Sequence, residues 1–240
     1  MLTNRTRCGI LWEKEVYPLN KSNISLTATQ LRLLALGLMF IDHLGRVVFP
    51  GQIWMICLGR LAFPIFAFQT AEGYRHTHDF GAYCVRLLVF ALISEIPFDL
   101  MLSGSAFWAG HQNVMLTLLL GLLACRAWDE QKWWKLALIA LAGVVTFPDY
   151  GVLGVGTVLS FHVLRGQGLL QLAMLVVINW FGYEGQQLLI GAIKVPVQAF
   201  AILAIVPIWL YNGEKGRGGK WLQYGSYLFY PLHMLILGLM

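Results

Sequence analysis

Charge is what this sequence has least of. Only 12% of its 240 residues are Asp, Glu, Lys or Arg, against about 25% in an average soluble domain. With 58% hydrophobic residues and a mean hydropathy of +0.66, that shortage excludes a disordered chain and a soluble globular enzyme. Cysteine is sparse as well. Cys8, Cys57, Cys84 and Cys125 form no C-x-x-C pair, fit neither a zinc site nor a disulfide framework, and read as free thiols. Residues 1–28 have no apolar run of signal-peptide length and carry charges throughout, so they read as a cytoplasmic amino-terminal tail. The net charge of +5 sits mostly in short loops, where membrane topology explains it without nucleic acid.

What the chain does have is long apolar runs. They predict an all-α fold, a polytopic transmembrane helix bundle of about nine spans with membrane lipid as its solvent. The runs fall at roughly 31–49, 53–73, 82–102, 107–126, 133–147, 150–165, 168–183, 190–210 and 223–240. They lack the period-two alternation of a membrane barrel. With the amino terminus inside, the inner segments hold Arg75, Arg126, Lys132, Lys135, Arg165, Lys215, Arg217 and Lys220, and the outer loops hold Asp149 and Glu184. This asymmetry predicts a cytoplasmic amino terminus; Lys194 is its exception. Residues 29–240 then form one transmembrane domain.

Several polar residues lie inside these runs, where a charge costs about 2.5–3.5 kcal/mol on insertion scales. They are Asp42, His43, Arg46, Arg60, Glu72, Arg86, Glu95, Asp99, His111, Asn113, Ser226, Tyr230 and His233. At a rise of about 1.5 Å per residue, Asp42, His43, Arg60, Glu95, Asn113 and His233 fall in one layer just outward of the midplane. Arg32, Glu72 and Arg86 form a second layer nearer the cytosol, with Arg75, His76 and His78 at its mouth. The pattern suits a path from the cytosol to the outer face, and equally an ion-paired bundle.

The chemistry of each group has two readings. On a helix His43 shares a face with Arg46, while Asp42 is turned about 100° away. Asp42 therefore cannot orient the His43 ring, and a partner on another helix is expected. His43 is either a general base or a hydrogen-bonded neighbour of an Asp42–Arg60 ion pair. Arg60 precedes Phe63-Pro64, where proline kinks a helix and frees a carbonyl; it either clamps a phosphate or carbonyl oxygen or pairs with Asp42 or Glu95. Glu95 and Asp99 flank Pro97 and either share a proton or accept ion pairs. His76 and His78 diverge on a helix, so no metal site is expected. The 212–220 segment NGEKGRGGK lacks the strand-to-helix setting of a phosphate loop and reads as a flexible basic loop.

FIDHLG (40–45), GRLAFPIFAF (59–68), Arg86-Leu87, Asn113 in HQNVMLTLLLG, DYGVLG (149–154) and YPLHMLILG (230–238) together resemble the TraX family, the F-pilin acetylase type of conjugal transfer protein. EGYRHT (72–77) and LISEIPFDL (92–100) look more like the chromosomal members of that family. The resemblance implies a multi-pass bacterial inner-membrane acetyltransferase with acetyl-CoA as donor and pilin, another amine or a hydroxyl as acceptor. The family is also similar in organisation to membrane acyltransferases that use an intramembrane histidine. On this chain the resemblance implies His43 as base, assisted by Asp42, Arg60, Glu95 and His233. It implies Arg86, Arg75 and Arg32 as CoA-binding residues, and Asn113, Tyr150 and Tyr230 as a substrate pocket. A proton-coupled transporter and a non-catalytic scaffold for conjugation or pilus assembly are the alternatives. The acceptor and the oligomeric state stay open.

Overall fold

A computed structural model describes residues 25–183 and 185–240, apart from the side chains of Ile190 and Lys220. Cys8, Glu184 and nearly all of the 1–28 tail lie outside these residues. Leu26 is already tied in, pairing with Tyr211, and Thr27 caps the first helix. Its hydroxyl accepts from the Gln30 amide while the Gln30 carboxamide oxygen accepts from the Thr27 amide at 2.8 Å, a reciprocal capping box.

The chain is mostly helical. Helix α1 is Ala28–Val47, α2 is Ile53–Gly59 and α3 is Ala62–His76. The second apolar run is thus a broken helix, turning at Arg60 and Leu61. Pro64 has no amide to bond the carbonyl of Arg60, four residues back, so the break falls there. Helix α4 is Phe80–Ser103 with Pro97 inside it, α5 is Val114–Asp129, α6 is Trp133–Val145 and α7 is Gly151–Val163. Helix α8, Gly168–Val176, continues as a π-helical turn over Val177–Phe181. A 3-10 segment, Val197–Ala204, leads into α9, Ile205–Trp209, and α10 is Gly219–Gly238 with Pro231 inside it.

Two predicted spans are redrawn. The run expected at 107–126 becomes helical only at Val114. Residues 104–113 form a loop, because Gly104 ends α4 in the left-handed region and the Asn113 side chain caps α5 by accepting from the Met115 amide at 3.0 Å. The run expected at 190–210 opens on a β-hairpin, β1 Gln187–Ile190 against β2 Ile193–Pro196. Gly191 supplies the positive φ of its tight turn, and the β-branched Ile193 and Val195 favour strand. The fold is therefore helical with one small hairpin. Lys194, the exception to the charge pattern, stands on that hairpin and not within a helix.

The core sits where α1, α3, α4, α5 and α10 meet, around Leu31, Phe68, Leu87, Leu122 and Met234. Helices α1 and α2 approach closely at Gly59, where a Cβ would stand 2.2 Å from that of Asp42. Hydrogen bonds sort the loops into two ends. At one, Leu26 and Ala28 bond Leu210 and Glu214, and Tyr74 and His162 meet Asp129. Arg32, Arg75, Arg86, Arg126, Lys132, Lys135, Arg165 and Lys215 belong to this end. In its α5–α6 turn, hydrogen bonds from Lys132 and Arg126 hold the Glu130 carboxyl down to about 2. At the other end Gln112 bonds Phe147 and Asp149, and Tyr183 bonds the Tyr150 carbonyl.

The outer surface carries apolar ridges at four-residue spacing, Leu88, Leu92 and Ile96 on α4 and Leu228, Leu232 and Ile236 on α10, all exposed. Among the described residues the run Ile53–His76 is the one long and apolar enough to cross a membrane by itself.

Gly59→Val forces α1 and α2 apart. It is expected to lower unfolding stability in detergent by about 1–3 kcal/mol; an unchanged thermal midpoint would show that the contact is dispensable.

Candidate functional site

Helix α1 presents its polar residues in two directions. Asp42, buried, faces α2, where its Oδ1 accepts from Arg60 Nη2 at 2.6 Å and its Oδ2 from Arg46 Nε at 2.7 Å. The missing side chain at Gly59 makes room for this carboxylate. The turn at Arg60 and Leu61 lets the arginine leave the helix and reach it. Arg60 then extends the network. Its Nη1 donates to Gln198 Oε1 at 3.4 Å, Gln198 donates to Asn179 Oδ1 at 3.0 Å, and Asn179 donates to the Leu175 carbonyl at 2.9 Å. Arg60 Nε is buried with no hydrogen-bond partner.

His43 points the other way, toward α10. Its Nδ1 stands 2.7 Å from His233 Nε2, and the two rings stack with centroids 5.0 Å apart. Asp42 plays no part in that contact, as the helical angle requires.

Asp42, His43, Arg46, Arg60, Tyr150 and Tyr230 line a cavity of about 110 Å³. The wall beside them is aromatic: Tyr150, held at φ 68°, stacks on Phe63 at 3.8 Å between centroids. At the less basic end the cavity is bordered by His111 and Asp149, where His111 Nε2 stands 3.3 Å from Asp149 Oδ1 and both side chains are about one-third exposed. A second cavity of about 80 Å³ shares Met39, Phe66, Val114 and Tyr230 with the first. It shares Arg32, Gln69, Tyr83, Gln223 and Tyr227 with a third, of about 450 Å³. That largest cavity lies at the basic end and is also lined by Arg86, His76, His78 and Lys215. The three form one series from the basic end to His43.

The sequence candidates divide accordingly. His43, Asp42, Arg60, Tyr150 and Tyr230 meet at the small cavity, and His233 stands behind His43. Arg32 and Arg86 line the large one; Arg86 Nε is buried and unpartnered, with its guanidinium over the Tyr83 ring at 5.4 Å. Arg75 does not line that cavity. Glu95 and Asn113 do not line the small cavity. They hydrogen-bond to each other, and Asn113 also donates to the Ala91 carbonyl at 2.8 Å, so the asparagine joins α5 to α4. Asp99 does not pair with Glu95; its Oδ2 accepts from the Trp108 amide at 2.8 Å. Glu72 takes Arg165 at 3.2 Å.

Sequence reasoning missed Gln198 and Asn179. Each is a lone amide in an apolar run, and that isolation was the available signal, because a buried amide needs a partner. Asp149, read as an outer-loop charge and as the start of DYGVLG but not as a site residue, borders the cavity.

Removing one partner of a buried ion pair costs about 3–5 kcal/mol. Asp42→Leu is expected to lose that much in denaturant unfolding, and Asp42→Leu with Arg60→Met to recover part of it. Equal loss in the single and double variants would show that the pair is not coupled.

A protein-family model described as TraX protein matches residues 27–240. The chain is 31% identical over 241 residues to a probable fimbrial assembly protein FimC, serogroup H1, of Dichelobacter nodosus, covering 90% of this chain and 96% of that one. It is 26% identical over 226 residues to Protein TraX of Escherichia coli strain K12, covering 88% and 85%. No solved structure matches it.

Proposed function

The chain belongs to the TraX family, and from that premise we propose that it is a multi-pass protein of the bacterial cytoplasmic membrane that transfers an acetyl group from acetyl-CoA to an amine or hydroxyl acceptor. The observation that carries this reading is the cavity series joining a basic mouth to a histidine.

The membrane setting rests on the exposed apolar ridges of α4 and α10, which water tolerates poorly over a large patch. Charges are gathered instead into internal pairs, as lipid demands. The basic end faces the cytosol on this reading, where acetyl-CoA is found.

Arg32, Arg86 and Lys215, which line the large cavity, supply cations for the donor's phosphates. Arg75 stands outside this cavity and drops out of the set. Arg32 and His43 are eleven residues apart on α1, about 16 Å at 1.5 Å per residue, a span that suits an extended pantetheine arm lying in the middle cavity. The thioester then reaches His43. The imidazole takes the proton of the attacking nitrogen or oxygen. A bond forms from that atom to the acetyl carbon, the carbon–sulfur bond breaks, and the proton passes to the departing thiolate. Arg60 lines the same cavity, and its guanidinium stabilises the oxyanion formed on the way. Asp42 keeps the Arg60 guanidinium in position.

The acceptor we favour follows the name of one relative. It is named for fimbrial assembly, which favours a pilus subunit, with its terminal amine as nucleophile. A transporter would use the same passage without CoA, and a scaffold would not need the passage.

The test is acetyl-CoA binding and turnover by purified, detergent-solubilised protein, wild type beside Arg86→Ala and His43→Ala. Arg86→Ala is expected to weaken acetyl-CoA binding at least about tenfold, since hydrogen bonds to charged groups contribute about 1.5–3 kcal/mol. His43→Ala is expected to bind normally and lose turnover by about 10²-fold or more. A folded wild type that binds no CoA would overturn the acyltransferase, and solute flux in proteoliposomes would then favour the transporter.

A further inference from the structure

His43 has two ring nitrogens, and a base needs its lone pair on the one that faces the substrate. We propose that His233 is a positioning residue that sets this tautomer, relaying a constraint that begins at a backbone carbonyl of α10.

The relay follows from which atoms can donate. His233 Nδ1 stands 2.7 Å from the carbonyl oxygen of Phe229. A carbonyl only accepts, so His233 Nδ1 carries the hydrogen. In neutral His233 the other nitrogen, Nε2, then has a lone pair. That nitrogen stands 2.7 Å from His43 Nδ1, and two lone pairs do not face each other at hydrogen-bond distance. The hydrogen between them therefore sits on His43 Nδ1. In neutral His43 the lone pair is left on Nε2, which makes no other hydrogen bond among the described residues. His43 lines the small cavity, and Nε2 is the nitrogen it offers to a substrate.

The His233 ring is held to this task. Phe229 stacks on it at 4.8 Å between centroids, and Phe40 meets it edge-on at 6.0 Å. The ring is buried, and no carboxylate hydrogen-bonds it, so the cation that would reverse the relay has no anionic partner there. A carboxylate in this place would attract the proton strongly. A neutral imidazole orients His43 without holding an imidazolium as an ion pair. When His43 takes a proton, its Nδ1–H still donates to His233, and the proton on Nε2 remains the one that can leave.

The titratable groups that face His43 are Asp42 and Arg46 on α1, Arg60 in the α2–α3 turn, His111, Asp149 and Tyr150 in the loops before α5 and α7, and Tyr230 and His233 on α10. A substitution at His233 leaves all the others in place.

The proposal rests on the acyltransferase reading for its consequence but not for its geometry, and the experiment separates the two. Protein labelled with nitrogen-15 in its histidines, in detergent micelles, reports the tautomer directly, with a His43→Gln sample to assign the signals. The wild type is expected to show His43 as Nδ1–H with a bare Nε2. His233→Leu is expected to abolish that preference, lower acetyl transfer by about 10²-fold, leave the KM for acetyl-CoA within about twofold, and shift the pH profile of kcat. His233→Gln, whose carboxamide oxygen can still accept from His43 Nδ1–H, is expected to restore at least tenfold over His233→Leu. Wild-type His43 found as Nε2–H, or His233→Leu matching wild type in rate and pH profile, would overturn the relay. A wild type with the Nδ1–H tautomer but no acetyl transfer would sink the acyltransferase and leave the relay standing.

Discussion

The buried carboxylate of Asp42 between two guanidiniums is the interaction on which the site depends. It fixes Arg46 on its own helix and Arg60 across the α2–α3 break, and it is possible because Gly59 leaves the space. A lone carboxylate there would be costly and a lone arginine no better. Paired, they join α1 to α2, and through Gln198 and Asn179 to the later helices. With Asp42 turned toward α2, His43, about 100° round the helix, meets α10, which supplies His233.

This division of labour separates holding from reacting. The charges nearest His43 are spent on each other, so the cavity is polar without carrying a large net field. Two of the buried polar atoms without a hydrogen-bond partner, the Nε of Arg60 and the Nε of Arg86, belong to residues that line the small and the large cavity. Buried polar atoms without partners are uncommon in folded proteins.

Part of this was legible in the sequence because it is local. Apolar runs, capping residues and the scarcity of charge depend on neighbours a few positions away, and they mark α1, α4, α6, α7 and α10 to within a few residues. His43 and Asp42 could be separated on helical angle alone. The break at Arg60 was legible too, because proline acts on the carbonyl four residues before it. The hairpin at 187–196 was not, since an apolar run bounded by glycine and proline fits strand as well as helix, and hydropathy does not choose between them.

The sequence by itself determined that the chain is helical and apolar, that it carries polar groups where they are expensive, and which residue types are available for chemistry. Only the tertiary structure decided their partners. It gave Arg60 to Asp42 and not to Glu95, gave Glu95 to Asn113, left Arg75 out of the basic cavity and brought His233 to His43 across 190 positions of sequence. The physical reason is that periodicity specifies a face and a depth on one helix. Which faces meet depends on packing across helices, where one absent side chain at Gly59 and one turn at Arg60 set distances that no local pattern encodes.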